Sequence, residues 1–596
     1  MQEASLCGAS LSDVRRLMVR SGSPVKTKPH SRCIVTPEIT ITTAQLALAL
    51  VGIFLLNLLL RVFYIRYDFV NGDEGVRALS AVRMLEGARL YADVVTDKPP
   101  GASLFYAAVF ALFGRSMKAV HLAAIVWNFA TSVVVYLIAA RFYNRRAGLW
   151  AALLFVYFST NYFTQDTMAA NTELLMALPY AASFLFFMIG HSSGSRERAR
   201  SAYVVLLVAG LLTGFAALFK QVGVLNLGFF AVYEMFEVWK HRKGKLKVNG
   251  LIFNSLKSAV FRLSLVGIGF AVVIASFILW LNSMGALAAF WRNGIVLNMF
   301  YIDSEPADLW IKFGVGRGLG YVFFNATLWA LAAWAVLHSI KKARRDGAPK
   351  DDATAKVSFD LAIALWAIVT LVGVIMSGRF FGHYFIPALP ALSVLGARGV
   401  SLFAEALRTP PYRRRALVGL AILAVFFLIG LVRSHHRTAV LAYEMVTGTR
   451  TRWSANWGMT KREDEAEIVA AFVRERIPRG EPLFIWGYAH DVYWRTGCRP
   501  ASRYLTPYYI DGRFADAESA APISGENFRR EAAANLLEDL KREKPRLILD
   551  VGGGFKRLEY ADLVDYVDKN YRDEGTIGTD PSNPFKVLQL WEETNK

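Results

Sequence analysis

Long apolar runs, most of them joined by short basic links, fill the chain from residue 44 to residue 433, and only beyond that point do polar and apolar residues mix evenly. A bilayer-crossing helix needs about 17 to 25 mostly apolar residues. Eleven stretches meet that length, at 44–64, 119–140, 147–163, 174–190, 203–219, 223–239, 259–282, 316–337, 359–376, 384–402 and 416–433. They predict an α-helical polytopic membrane protein, because a spanning segment must satisfy its own backbone hydrogen bonds. The apolar run 101–114 is shorter than a span and reads as an interfacial or re-entrant helix.

The links Arg141 to Arg146, Arg196 to Arg200, Lys240 to Lys247, Lys341 to Arg345 and Arg408 to Arg415 are all basic and fall on one side when consecutive spans alternate. Cytoplasmic loops carry such an excess, so the N-terminus is expected inside and the C-terminus outside. Counting 101–114 as a twelfth span would move those links outward and reverse the bias. The expected organisation is a disordered cytoplasmic tail over 1–40, a membrane domain over 41–433 and an extracytoplasmic domain over 434–596.

In the last part, helical patterns at 463–477, 528–543 and 560–571 alternate with strand-like runs at 482–487, 546–551 and 585–590, which predicts a soluble α/β layer domain. Gly552-Gly-Gly554 lacks the spacing and the Lys-Ser/Thr of a phosphate loop and reads as a turn. Trp486, His490, Tyr493 and Trp494 could stack on a sugar, but core packing is the preferred reading.

Composition agrees with the hydropathy pattern: 54% of the 596 residues are hydrophobic, and the formal charge is +20. The basic balance sits in the links between spans, so it orients a membrane protein and does not point to nucleic acid. Cys7, Cys33 and Cys498 show neither metal-ligand spacing nor a disulfide framework.

The candidate chemistry gathers on the outer side. Asp73 and Glu74 stand at the start of an amphipathic pattern, Val76, Leu79, Val82 and Leu85, expected to lie along the interface. Asn71 and Asp73 would equally serve as helix caps there. Glu173, with Asp166 as its rival, follows the third span; Lys220, Arg292, Arg379, His383 and Tyr384 also fall at outer ends. Singly, such cations act as interfacial anchors. Grouped with carboxylates, they suit a substrate with a phosphate to bind and a hydroxyl to deprotonate. The spans carry no midplane carboxylate of the kind a proton-coupled carrier uses, which disfavours transport without excluding a lipid-linked sugar flippase.

Gly72-Asp-Glu-Gly75, Tyr91, Lys98-Pro-Pro-Gly101 ahead of the short helix ending Phe113-Gly114, Asn171-Thr-Glu173, Lys220, and Arg379 with His383-Tyr384 and Pro387 together resemble the C-type glycosyltransferase superfamily, in its protein O-mannosyltransferase and lipid A aminoarabinose transferase branch. The resemblance covers about residues 44–433. It implies a C-type glycosyltransferase fold, a polyprenyl-phosphate sugar donor, a protein, lipid or glycan acceptor, and inversion at the anomeric carbon. It also implies that Asp73 is the base, that Glu74 orders the site or the acceptor, and that Lys98 contacts the donor phosphate. Arg77, Glu173, Lys220, Arg379, His383 and Tyr384 are the accompanying substrate-binding candidates. No Asp-x-Asp motif of a metal-nucleotide donor site is evident; no metal ligand is assigned, and a divalent ion as cofactor is left open.

Overall fold

The computed structural model describes residues 41–162, 167–192, 199–243, 249–303, 307–346, 352–512, 525–579 and 584–591; the expected tail over 1–40 and Asp166 lie outside them. Nine described helices are long and apolar enough to cross a membrane, so the protein is a multi-pass membrane protein. The first four long or apolar elements are α1 (Thr43–Arg61), α2 (Gly72–Leu85), α3 (Gly101–Phe113) and α4 (Met117–Phe142). They are followed by α5 (Arg145–Phe158) and α6 (Thr172–Ser192).

Two of the eleven apolar runs depart from a simple span. The run 147–163 holds only the 14-residue α5, followed by a buried turn at Ser159 to Asn161. That turn meets the end of α1, where Arg61 donates through Nη2 to the Ser159 carbonyl at 3.2 Å and to its Oγ at 2.9 Å. Asn57 joins the same polar seam, donating to the Ile125 carbonyl and accepting from Asn128, both at 2.8 Å. Such hydrogen bonds hold membrane helices together where no hydrophobic drive exists between them. The run 316–337 breaks at Asn325, where helices Asp308–Phe324 and Ala326–Arg345 bend by 80°. Asn325 turns its own amide to the Tyr321 carbonyl at 2.8 Å, a local bond that competes with the helix ladder.

The helix Pro410–Thr447 outruns its expected end at 433 and stops at Gly448, whose φ of +68° is a left-handed cap that glycine favours. Its last turns face the start of the first loop, with Glu444 accepting from Arg66 at 2.7 Å.

Beyond it lies a five-stranded sheet of order β2-β1-β3-β5-β4, formed by β1 (Pro482–Trp486), β2 (Arg499–Pro500), β3 (Leu547–Val551), β4 (Tyr571–Ile577) and β5 (Phe585–Leu590). Strand β1 runs parallel to β2 and β3, whereas β5 pairs antiparallel with β3 and β4. The polar edge strand β4, Tyr571-Arg-Asp-Glu-Gly-Thr-Ile577, has no period-two apolar signal and carries an irregularity at Asp573/Gly575. After β3, Gly552 and Gly553 both take positive φ, a turn as expected.

Helix α2 does not simply lie on the membrane. Its Ala78 and Ala81 pack into the membrane core beside Ala102, Tyr106 and Phe110 of α3. Its Leu79, with Val76 against it, packs instead into the core of the sheet domain with Val469, Ile485 and Val492. One amphipathic helix therefore completes two cores. Further bonds reinforce the junction: Val95 N donates to the Arg503 carbonyl at 2.8 Å, and Arg115 to the Tyr493 and Trp494 carbonyls at 3.3 and 3.0 Å.

Candidate active site

The start of α2 sorts the two adjacent carboxylates into different environments. Asn71 is the N-cap, accepting from Glu74 N at 3.2 Å, and its amide donates to Asn171 Oδ1 at 3.2 Å. Capping is thus done by Asn71, and Asp73 is left with half of its side chain, 52%, exposed.

Glu74 is fully buried and does not line the cavity that Asp73 faces. Its carboxylate accepts from Val70 N and Ala170 N, both at 2.7 Å, and from His121 Nε2 at 3.1 and 3.2 Å. Burial opposes its ionisation, but His121 and the two backbone donors outweigh that and hold its carboxyl below the usual range. Geometrically, Glu74 ties the head of α2 to α4 and to the segment before α6.

Asp73 opens into a cavity of about 290 Å³. Arg77, Lys98, Arg379, His383 and Tyr384 line the same cavity, so five of the substrate-binding candidates converge on it. Arg77, one turn along α2, donates through Nη2 to Asp73 Oδ2 at 3.2 Å, while its buried Nε has no hydrogen-bond partner among the described residues. Burial would raise the Asp73 carboxyl, but Arg77, His383 and Lys98 together hold it below its ordinary value. Lys98 is paired with Asp97, and its carbonyl accepts from Tyr91 OH at 3.0 Å. Tyr91 takes a φ of +72°, a strained conformation for a non-glycine residue, and is completely buried.

Glu173 and Lys220 form a layer behind the cavity wall and are not among its lining residues. They pair with each other, Thr172 Oγ1 donates to Glu173 at 2.8 Å, and His383 Nε2 lies 3.7 Å from the same carboxylate. Lys220 Nζ also sits 3.6 Å from the centre of the Tyr384 ring. The arrangement orients His383 and Tyr384 from behind. Among the described residues, no group of three or more His, Cys, Asp or Glu side chains is placed to hold a metal ion.

The remaining wall comes from the sheet domain, through Tyr488, His490, Thr506, Tyr508 and Tyr509. Tyr488 and His490 follow the carboxyl end of β1, and the other three follow β2, so the sheet aims its carboxyl edge at the cavity, the usual ligand side of an open α/β sheet. Of the aromatic cluster considered in the sequence, Trp486 and Tyr493 are core residues, and Trp494 packs on Phe69 and Phe110. His490 alone reaches the cavity. The crowding of aromatics in Tyr504-Leu-Thr-Pro-Tyr-Tyr509 was the available signal for the others.

Residues 97–280 match the family model described as dolichyl-phosphate-mannose-protein mannosyltransferase. No curated protein matches the chain in sequence. Among solved structures, ArnT from Cupriavidus metallidurans bound to undecaprenyl phosphate is similar, with a TM-score of 0.56 at 16% identity, over 92% of this chain and 98% of that one. The Archaeoglobus fulgidus oligosaccharyltransferase tethered to an acceptor peptide is similar with a TM-score of 0.52 at 13% identity, over 92% of this chain and 74% of that one. Both likenesses extend through the membrane bundle into the sheet domain, because they cover nearly the whole chain.

Proposed function

We infer that this chain, which has the fold of the C-type glycosyltransferase superfamily, moves a sugar from a polyprenyl-phosphate donor to a hydroxyl or phosphate acceptor on a protein, lipid or glycan. The observation that carries this reading is the half-exposed Asp73 in one cavity with Arg77, Lys98 and Arg379. A carboxylate held ionised next to cations suits a reaction that removes a proton at one atom and releases a phosphate at another.

In the proposed step, Asp73 takes the proton of the acceptor hydroxyl as its oxygen bonds to the anomeric carbon. The bond from that carbon to the donor phosphate breaks on the opposite face, which inverts the configuration. The electron pair leaves with the phosphate, whose charge Lys98 and Arg379 meet. Arg77 keeps Asp73 oriented, and Glu74 keeps the helix that carries it in place. Glu173 and Lys220 support His383 and Tyr384 from behind.

The basic links support an orientation with the N-terminus in the cytoplasm and the sheet domain outside a cytoplasmic membrane, so that the cavity would open toward extracytoplasmic acceptors. Purified protein in sealed proteoliposomes, given radiolabelled undecaprenyl-phosphate mannose and cell-envelope acceptor material, tests the reading. A labelled glycosidic product is expected. Translocation of the lipid-linked sugar with no product would replace the transferase reading with a flippase.

A further inference from the structure

The transferase reading leaves the far wall of the cavity without a task. That wall includes His490, whose residue is only 2% exposed and yet lines the cavity that Asp73 opens into. Its Nε2 lies 3.0 Å from the Leu505 carbonyl oxygen, which can only accept, so Nε2 carries the proton. Burial, with Arg462 nearby, pushes the imidazole down to about 4, so the ring is neutral and Nδ1 keeps a lone pair. Among the described residues nothing donates to that Nδ1.

The ring is also fixed in position. It rests on Gly75, two residues past Asp73, so closely that a Cβ there would lie 2.5 Å from His490 Cβ and 3.1 Å from Nδ1. Arg77, Lys98 and Arg379 offer only donors to a ligand, as Lys and Arg side chains do. A hydroxyl-rich acceptor needs an acceptor atom for each hydroxyl proton it buries. Asp73 supplies one such atom at the reacting hydroxyl, and Nδ1 of His490 supplies a neutral one.

We propose that His490 binds the acceptor, its Nδ1 taking a hydrogen bond from a second hydroxyl next to the one Asp73 deprotonates, so that the preferred acceptor is a sugar-like polyol. The α/β domain thereby selects the acceptor, while the membrane half holds the donor phosphate. This rests on the transferase reading above.

Two substitutions separate the lone pair from the packing. In His490→Gln the amide reaches the Nε2 position and can keep the Leu505 bond, but no lone pair remains at Nδ1. In His490→Asn the amide oxygen falls at the Nδ1 position, while the Leu505 bond is lost. Initial rates with radiolabelled undecaprenyl-phosphate mannose are measured against rising amounts of envelope material and, separately, rising donor. We expect His490→Gln to raise the half-saturating amount of envelope material about tenfold, the effect of one lost hydrogen bond, with donor half-saturation unmoved. His490→Asn should recover most of that loss. The reverse ranking, or equal losses with donor half-saturation raised as well, would show a packing role and overturn the proposal. Wild-type protein that binds the lipid without transferring its sugar would sink the transferase reading and this proposal together, whereas normal transfer by His490→Gln sinks this proposal alone.

Discussion

Arg77 Nη2 lies 3.2 Å from Asp73 Oδ2, and the two side chains differ sharply in exposure, 7% for the arginine against 52% for the carboxylate. The guanidinium is buried under the group it orients, so Asp73 is both ionised and available. Asp73→Asn removes the proposed base but keeps size and a hydrogen-bond acceptor for Arg77. Transfer should fall about a hundred- to ten-thousand-fold, the usual span for a positioned general base, while thermal stability in detergent stays near wild type. Full activity in that variant would sink the assignment of Asp73.

Glu74 is its neighbour in sequence but should behave in the opposite way. Its oxygens accept two backbone amides and His121 in a site with no solvent exposure. Leaving a buried hydrogen-bond donor without its acceptor costs about 1–3 kcal/mol. Glu74→Gln should therefore lower the unfolding temperature and the yield of folded protein, with activity lost in proportion to the folded fraction. A stable, well-folded but inactive Glu74→Gln protein would instead place Glu74 in the chemistry.

The junction between the first loop and the sheet domain carries a pH dependence. Glu463 Oε1 accepts from Asp68 N at 2.7 Å and lies 3.5 Å from Arg495, which also reaches Asp68 at 2.8 Å. Burial nevertheless dominates and pushes the Glu463 carboxyl up to about 7, with Asp68 and Asp491 adding in the same direction. Asp491, paired with Arg462 at 3.2 Å, is itself raised, chiefly by burial. A carboxyl raised on folding contributes stability that is full below its unfolded value near 4.5 and is lost as pH climbs through about 7. The shift is worth roughly 3 kcal/mol. The unfolding temperature of the wild type should fall between pH 5 and pH 8, and Glu463→Gln should flatten most of that slope. An unchanged slope in the variant would assign the titration to another group.

These contrasts mark what hydropathy and local pattern can reveal. The membrane spans were legible because a long apolar run has few other uses in a chain of this charge. The pair Asp73-Glu74 stood out in the sequence as a candidate, yet its division into one open and one buried carboxylate depends on Ala170 and His121, distant residues with no local signal. The break at Asn325 was hidden inside a continuous apolar run. Tyr488, His490 and Tyr508 lie more than four hundred positions from Asp73 in the chain, and the topology of β1 and β2 delivers them to the cavity. Side chains at strand ends follow no periodic pattern, so aromatic crowding around His490 and in Tyr504 to Tyr509 was their one local signal.

Gly75 is where the two halves of the site meet, and it should tolerate no side chain. It lies inside α2, where alanine would ordinarily be favoured over glycine by about 1 kcal/mol. An added methyl would stand 2.5 Å from His490 Cβ and 2.9 Å from its Cγ, distances at which a backbone must move because neither atom is the end of a flexible chain. The sheet domain also holds α2 through Leu79, and the loop after α2 through the Val95–Tyr504 bridge, so it cannot simply lift away. Gly75→Ala should therefore shift His490 within the cavity and raise half-saturation for the acceptor more than for the donor. Helix propensity would offset part of the overpacking, typically 1–3 kcal/mol, so the protein should still fold. Initial rates with acceptor and donor varied in turn measure the effect, and equal changes in both half-saturation values would argue that the methyl disturbs α2 and Asp73 instead of the His490 wall.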